Sequence, residues 1–327
     1  MLVTDIDTAR LFKPLEQARG ILLGLSGGPD SVAALALLAE WANHPPLFAA
    51  TFDHGFRTAS RTEAEQCAAL CAQFDIPHTI LTWEGDKPST RIQEEARDAR
   101  YSALVAHAKE IGADHLVTAH HADDQTETIL FRMMRGSSIG GLAGMREQMM
   151  REGIIHARPF LHMRKAQLVA VCEAQGLNYI RDPSNEDPRF ARTYLRRMAA
   201  LLDEAGMGPE AFARLGGRAA RAEEALARCA DELAAEAVTQ RDSTSAYIDA
   251  AKLGKAPAEL VLRLLMAEIS RIGQAPRLEQ AEILVAGLEE ARATGEPFRS
   301  TLGGTLISLK SDSVLVISRE APRKAGL

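Results

Sequence analysis

Aromatic residues make up only 5% of the 327 residues, too few for a surface that works mainly by stacking bases. Cysteine is scarce too, and Cys67, Cys71, Cys172 and Cys229 include no Cys-x-x-Cys pair. Reduced, structural thiols are therefore expected rather than a disulfide framework, and the four-residue spacing of Cys67 and Cys71 puts both on one helix face. Positive charge is in deficit, with 38 Lys and Arg against 44 Asp and Glu and a net charge of −6. The chain as a whole gives no nucleic-acid signal, so any such surface must come from local clustering. No apolar run approaches a membrane span, and the first twenty residues carry Asp5, Asp7 and Glu16 without an apolar core of a signal peptide. The expectation is a cytoplasmic protein with no membrane partner.

What is present is the composition of an ordinary globular protein, 46% hydrophobic and 25% charged. The length favours two domains. The most informative stretch is Ser26-Gly27-Gly28-Pro29-Asp30-Ser31. The apolar run Ile21-Leu22-Leu23 before it reads as a buried strand, and Val32 to Glu40 after it as a helix. Glycines between a strand and a helix bring backbone N–H groups close to an anion, and the helix start favours a phosphate there. A Walker lysine is missing, and Asp30 would repel a phosphate unless Mg²⁺ bridged the two.

The six residues resemble the SGGxDS signature of the N-type ATP pyrophosphatases, the PP-loop enzymes. That resemblance implies cleavage of ATP between its α and β phosphates, with Ser26, Gly27, Gly28, Pro29, Asp30 and Ser31 binding ATP and Asp30 holding Mg²⁺.

Along the chain, strands are expected at Leu47 to Phe52, His78 to Trp83 and His115 to His120, alternating with helices over Ala59 to Asp75 and Thr90 to Ile111. An α/β fold follows, a doubly wound and mostly parallel sheet whose ligands collect beyond the carboxyl ends of the strands. Asp53 and His54 fall at one such end and His120 at another. On the long helix Glu94, Arg97 and Tyr101 share a face, with Arg100 beside it. A solvated helix laced with ion pairs explains that pattern equally well. From His121 a further helix opens, with Asp124 and Glu127 three apart on one face, an arrangement that asks for a cation.

Glu94-Glu95-Ala96-Arg97 with Arg100-Tyr101, the segment His120 to Gly136, and Gly141-Leu142-Ala143-Gly144-Met145 are similar to motifs of the tRNA(Ile)-lysidine synthases among the PP-loop enzymes. The Asp182-Pro183-Ser184-Asn185 segment and the arginines after it match that family as well. The resemblance covers residues 20 to 200. It implies that Asp53, His54, Arg97 and His120 join the loop in binding ATP. It also implies that Asp124 and Glu127 hold free L-lysine, and that Asp30, Asp124 and Glu127 are catalytic. The activity implied is ligation of lysine to the wobble cytidine of tRNA(Ile) with a CAU anticodon, with ATP and Mg²⁺ as cofactors.

From Arg132 to Lys165 basic residues exceed acids by five, seven against two, which reads as a surface for a phosphodiester backbone. Arg132, Arg135, Arg192 and Arg196 are the candidate tRNA contacts. Beyond residue 205 the composition shifts to Ala- and Glu-rich helices and a closing hairpin near Thr305 to Ile317. Residues 1–205 are thus expected to form the catalytic domain, and 206–327 a smaller α+β domain that binds the tRNA. The chain could act alone or as a homodimer. Three rivals compete: a thiolating PP-loop enzyme, a two-metal phosphoesterase built on Asp53, His54, His120, His121 and Asp123, and a tRNA-binding relative without catalysis.

Overall fold

The computed structural model describes residues 6–56, 59–83, 92–180, 191–311 and 314–320. For Ala59, Ile92, Gln93, Ala191, Arg192, Lys310 and Ser311 it describes the backbone alone. The chain divides into two compact units. One comprises the described residues up to Arg135 together with Ala143–Gly216, the other Gly136–Leu142 and the described residues from Gly217 onward.

The first unit contains α1 (Thr8–Phe12), β1 (Ile21–Gly24), α2 (Pro29–Glu40), β2 (Leu47–Asp53), α3 (Ala59–Gln73) and β3 (His78–Thr82). It continues with α4 (Ile92–Glu110), β4 (His115–Val117) and α5 (Ala122–Met134). After α6 (Ile139–Leu142), which belongs to the second unit, come β5 (Gln148–Arg151), β6 (Ile154–Ala157), α7 (Lys165–Ala174) and α8 (Ala191–Glu204). The sheet runs β3-β2-β1-β4-β6-β5, parallel throughout except for the antiparallel edge pair β5 and β6.

Alternate side chains of β1 enter different cores, which is why its apolar run is unbroken. Ile21 and Leu23 pack with α2, α3 and α7 on one face, while Leu22 packs with Tyr101, Leu104, Val105 and Ala108 of α4 on the other. Helix α2 is buried from Ser31 to Leu38, as an almost uniformly apolar sequence demands. The order reverses at β1 and β4, so the crevice at their carboxyl ends is the switch point where ligands of such sheets bind. The segments after those two strands are the glycine loop and the start of α5.

The second unit takes most of α9 (Pro209–Ala237), then β7 (Val238–Arg241), β8 (Ser245–Asp249), α10 (Ala250–Leu253), α11 (Ala258–Ile272) and α12 (Leu278–Thr294). It ends in β9 (Phe298–Leu302), β10 (Thr305–Ser311) and β11 (Val314–Arg319), and its antiparallel sheet runs β7-β8-β11-β10-β9. Ile248, Ile307, Leu315 and Ile317 of the sheet close on Leu264, Leu265 and Ile269 of α11 and Leu284 and Leu288 of α12. Inside it, Glu268 is buried and accepts from Arg241 at 2.8 Å and Arg271 at 2.9 Å. The division falls inside α9 rather than before residue 206. Phe212, on the first turn of that helix, is buried with Ile129, Leu130 and Leu195 of the first unit, which draws residues 206–216 to that side.

Candidate active site

The loop between β1 and α2 is held by one serine. Ser31 Oγ accepts from the Ser26 N–H at 3.1 Å, lies 3.1 Å from Ser26 Oγ, and donates to the Gly28 carbonyl at 3.0 Å. Gly27 has φ of +78°, and its carbonyl accepts from Ile180 N at 2.8 Å. A Cβ there would lie 2.4 Å from Ile180 Cδ1 and 3.1 Å from Cys67 Sγ, so only glycine fits. Gly28 is the N-cap of α2 without any side-chain cap, which leaves the first N–H groups of the helix to a ligand, and Pro29 supplies a first residue that needs no partner. Above Gly28 a Cβ would meet only Ser26 Oγ at 3.8 Å, so the space over the loop is open, as a phosphate cradle requires.

Asp30 Oδ1 is buried without a hydrogen-bond partner, while Oδ2 lies 3.6 Å from His121 Nε2. An orphaned carboxylate oxygen beside an anion cradle suits Mg²⁺, which takes one or two carboxylates and completes its shell with phosphate oxygens and water. Among the described residues no group of three His, Cys, Asp or Glu side chains is arranged to hold a metal by itself. The residues present therefore fit a metal carried with ATP rather than one caged by protein.

His121 caps α5 and sits among carboxylates: Asp124 Oδ2 lies 3.4 Å from Nε2 and Asp123 Oδ2 3.4 Å from Nδ1, with Asp30 opposite. Burial opposes a charge on the ring, yet hydrogen bonds to Asp123 and Asp30 and the charges of Asp124 and Asp30 raise its pKa to about 10. The His121 N–H in turn donates to Asp124 Oδ2 at 3.2 Å, which ties the carboxylate to the start of the helix. Asp123 is anchored further by the Lys165 N–H at 2.8 Å. Glu127, one turn along α5, accepts from Arg196 Nε of α8 at 3.0 Å. Asp124 and Glu127 therefore each face a cation of the protein's own.

The other candidates are more dispersed than their sequence positions suggest. Asp53 Oδ1 accepts from Ser60 Oγ at 2.6 Å and Gly55 N at 2.8 Å, bonds that hold its carboxyl below the usual range and tie down the turn after β2. The His54 ring packs on Phe56 at 5.3 Å. His120 Nδ1 lies 2.8 Å from Thr118 Oγ1, which is 2.8 Å from His156 Nε2. Burial and the neighbouring arginines 158, 97 and 100 hold His120 well below its ordinary pKa, so it is neutral. Asp53, His120 and His121 thus belong to three separate networks, against the two-metal arrangement.

The basic stretch is not one surface. Arg158 is buried and donates to the Arg146 carbonyl at 2.8 Å. Arg164 is engaged by Asp203 and Glu210, the contacts that push its pKa further up. Arg132 donates to the Gly144 carbonyl at 2.8 Å. Gly144 itself, at φ +71°, lies so close to Gln125 that a Cβ would be 2.6 Å from its Oε1. Gln125 in turn exchanges bonds of 2.9 and 2.7 Å with Met145, so α5 fixes this loop. Arg135 is exposed over the Phe131 ring at 4.5 Å. The Arg192 side chain and the Asp182 to Asp187 segment lie outside the described residues.

Sequence reasoning did not single out His156. It stands on β6, one strand of a hairpin hidden in a charge-rich segment. The signal was Ile154-Ile155 after Glu152-Gly153, whose φ values of 50° and 86° close the turn. Arg97 Cζ and Arg100 Cζ each lie 5.1 Å from the Tyr101 ring, and Arg151 Cζ 4.4 Å from it.

Residues 3–202 match the PP-loop domain family. A tRNA(Ile)-lysidine synthase of Rhodopseudomonas palustris is 40% identical over 99% of this chain and 97% of its own length. Another, from a Methylobacterium species, is 42% identical over 94% of this chain and 91% of its own length. Among solved structures, a U34-tRNA thiolase from Methanococcus maripaludis has a TM-score of 0.55 at 18% identity, covering 64% of this chain and 77% of its own, a likeness of fold alone. With a phosphate loop at the switch point of its sheet and relatives matched along nearly its whole length, the chain belongs to the tRNA(Ile)-lysidine synthases, a family of PP-loop enzymes.

Proposed function

We propose that the protein ligates lysine to the wobble cytidine of the CAU anticodon of tRNA(Ile), at the expense of ATP, giving lysidine, AMP and pyrophosphate in the cytoplasm. The codon read would change from AUG to AUA, and the amino-acid identity from Met to Ile. The observation that carries the reading is the approach of the two segments at the switch point. The unpartnered Asp30 oxygen of the loop lies in a carboxylate whose other oxygen is 3.6 Å from His121, at the start of the helix that bears Asp124 and Glu127.

In the first step the cytosine 2-oxo oxygen attacks the α-phosphorus and pyrophosphate leaves. The uncapped N–H groups at the start of α2 and the open space over Gly28 receive the phosphates. Asp30 would hold Mg²⁺, which would offset charge on the departing pyrophosphate. In the second step the lysine amine, having given a proton to a carboxylate of this cluster, attacks the base at C2 and AMP leaves. Glu127 and Asp124 orient the lysine, and the substrate ammonium would take the place that Arg196 holds at Glu127.

Arg132, Arg135, Arg192 and Arg196 are the proposed tRNA contacts, Arg132 also donating to the Gly144 carbonyl at 2.8 Å. The second unit is the proposed tRNA-binding domain. In its support, Arg218, Arg221 and Arg228 are exposed on one face of α9. Incubation with ATP, isotope-labelled lysine and unmodified tRNA(Ile) tests the reading. Label in the RNA that depends on ATP is expected; ATP cleavage without label would assign another nucleophile.

A further inference from the structure

Helix α5 carries one stripe of side chains from the candidate site to the surface. Asp124, Glu127, Phe131 and Arg135 recur at three and four residues, so they share a face from the first turn to the C-cap. Burial changes along it. Glu127 is buried beside Arg196, whereas Phe131 is 38% exposed and Met134 61%. Ile129 and Leu130 turn the other way, into the core with Leu195 and Phe212, which leaves Phe131 on the outward side.

The exposed ring has a cation against it: Arg135 Cζ lies 4.5 Å from the Phe131 ring centroid. From Thr128 to Arg146 the chain has Arg132, Arg135 and Arg146 and no acidic residue, in a protein whose net charge is −6. An aromatic face set among cations suits an unstacked nucleobase and the phosphate attached to it. A second copy of the chain fits less well, since stable dimers bury about 800 Å² per partner and this turn offers one ring with the ends of Met133 and Met134. The chemistry asks for such a platform. To reach the α-phosphorus the wobble cytidine must leave its stack, and the base beside it then loses a neighbour. In a CAU anticodon that base is the adenine. Phe131 lies one turn, about 6 Å, beyond Glu127 along the helix, so a base held on its ring keeps the adjoining cytidine close to the carboxylates.

We infer that Phe131, with Arg135 against it, is a stacking platform for the anticodon adenine and holds the neighbouring cytidine unstacked toward the start of α5. Phe131 is thus a positioning residue. The inference rests on the proposed function, which supplies the tRNA and its anticodon.

The test is a binding cycle with the full-length protein and synthetic tRNA(Ile), either intact or with an abasic site in place of the anticodon adenine. Phe131→Leu keeps an apolar side chain and removes the aromatic face. It is expected to weaken binding of the intact tRNA about tenfold and to change binding of the abasic tRNA little, while Phe131→Tyr restores most of the affinity. The salt dependence of binding should be unchanged in Phe131→Leu, which loses no phosphate contact, whereas Arg135→Gln should lower its slope by about one. At saturating tRNA, pyrophosphate release by Phe131→Leu should slow several-fold, about the effect of a less often unstacked cytidine. Equal weakening of the intact and abasic tRNAs overturns the inference, as does unchanged affinity for both. A lowered melting temperature or a loss of self-association in Phe131→Leu, with tRNA affinity intact, would make the ring a structural or subunit contact and overturn it equally. Lysidine formation by wild type on the intact tRNA separates a failure here from a failure of the proposed function.

Discussion

Replacing Gly27 and Gly28 one at a time separates the fold of the loop from its use. In Gly27→Ala the residue must hold φ of +78°, a left-handed conformation that costs an L side chain about 1–2 kcal/mol. Its Cβ would also stand 2.4 Å from Ile180 Cδ1, and Ile180 cannot retreat easily because its N–H is bonded to the Gly27 carbonyl at 2.8 Å. Overpacking of this kind adds about 1–3 kcal/mol. The sum, about 2–5 kcal/mol, corresponds to a fall in melting temperature on the order of 10 °C for a unit of this size. Gly28 has φ of −70° and no protein atom nearer than 3.8 Å, so Gly28→Ala should melt within a few degrees of wild type. Its methyl group occupies the space assigned to phosphate, and ATP affinity by calorimetry should fall about tenfold or more. A Gly27→Ala protein as stable as wild type, or a Gly28→Ala protein with full ATP affinity, would refute this reading of the loop.

Three further outcomes are expected. Asp30→Asn removes the carboxylate proposed for Mg²⁺ and should abolish pyrophosphate release from ATP, with the melting temperature retained. Glu127→Gln should raise the lysine concentration needed for half-maximal ligation while tRNA-dependent pyrophosphate release continues; equal loss of both steps would remove the assigned division of labour. His156 is fully buried, and burial together with Arg158 and Arg151 lowers its pKa to about 3. Between about pH 6.5 and that value the unfolded chain binds a proton that the folded one does not. Its stabilisation is thus present above pH 6.5 and declines by up to about 1.4 kcal/mol per pH unit on acidification, a slope that His156→Asn should flatten in denaturant titrations across pH.

The sequence was most informative where local chemistry and tertiary role coincide. The glycine loop, the strand before it and the helix after it follow from residues 21–40 alone, because backbone geometry and burial make the same demand there. The strand expected at His115 to His120 stops at Val117; Thr118 N still donates to the Ala157 carbonyl of β6 at 3.1 Å, while its side chain bonds His120 and His156. The basic stretch is legible only in part. Charge counted along the chain does not say which side chains are buried: Arg158 is, while Arg164 and Arg132 stay partly exposed and are held by Asp203 and Glu210 and by the Gly144 carbonyl. Likewise the i, i+3 spacing of Asp124 and Glu127 gives them one helix face but not their separate partners, which come from the helix cap and from α8. Most strands of the second sheet were equally hidden, their short runs flanking the helices that dominate its composition.

The central claim is the transfer of lysine to one base. Wild-type protein incubated with ATP, lysine and an unmodified tRNA(Ile) transcript, followed by nuclease digestion and mass spectrometry of the anticodon nucleosides, tests it most directly. A cytidine at the wobble position that has gained one lysine with loss of water, formed only with ATP present, is the predicted result. An unaltered wobble cytidine, or the same product on a transcript bearing a different anticodon, would contradict it.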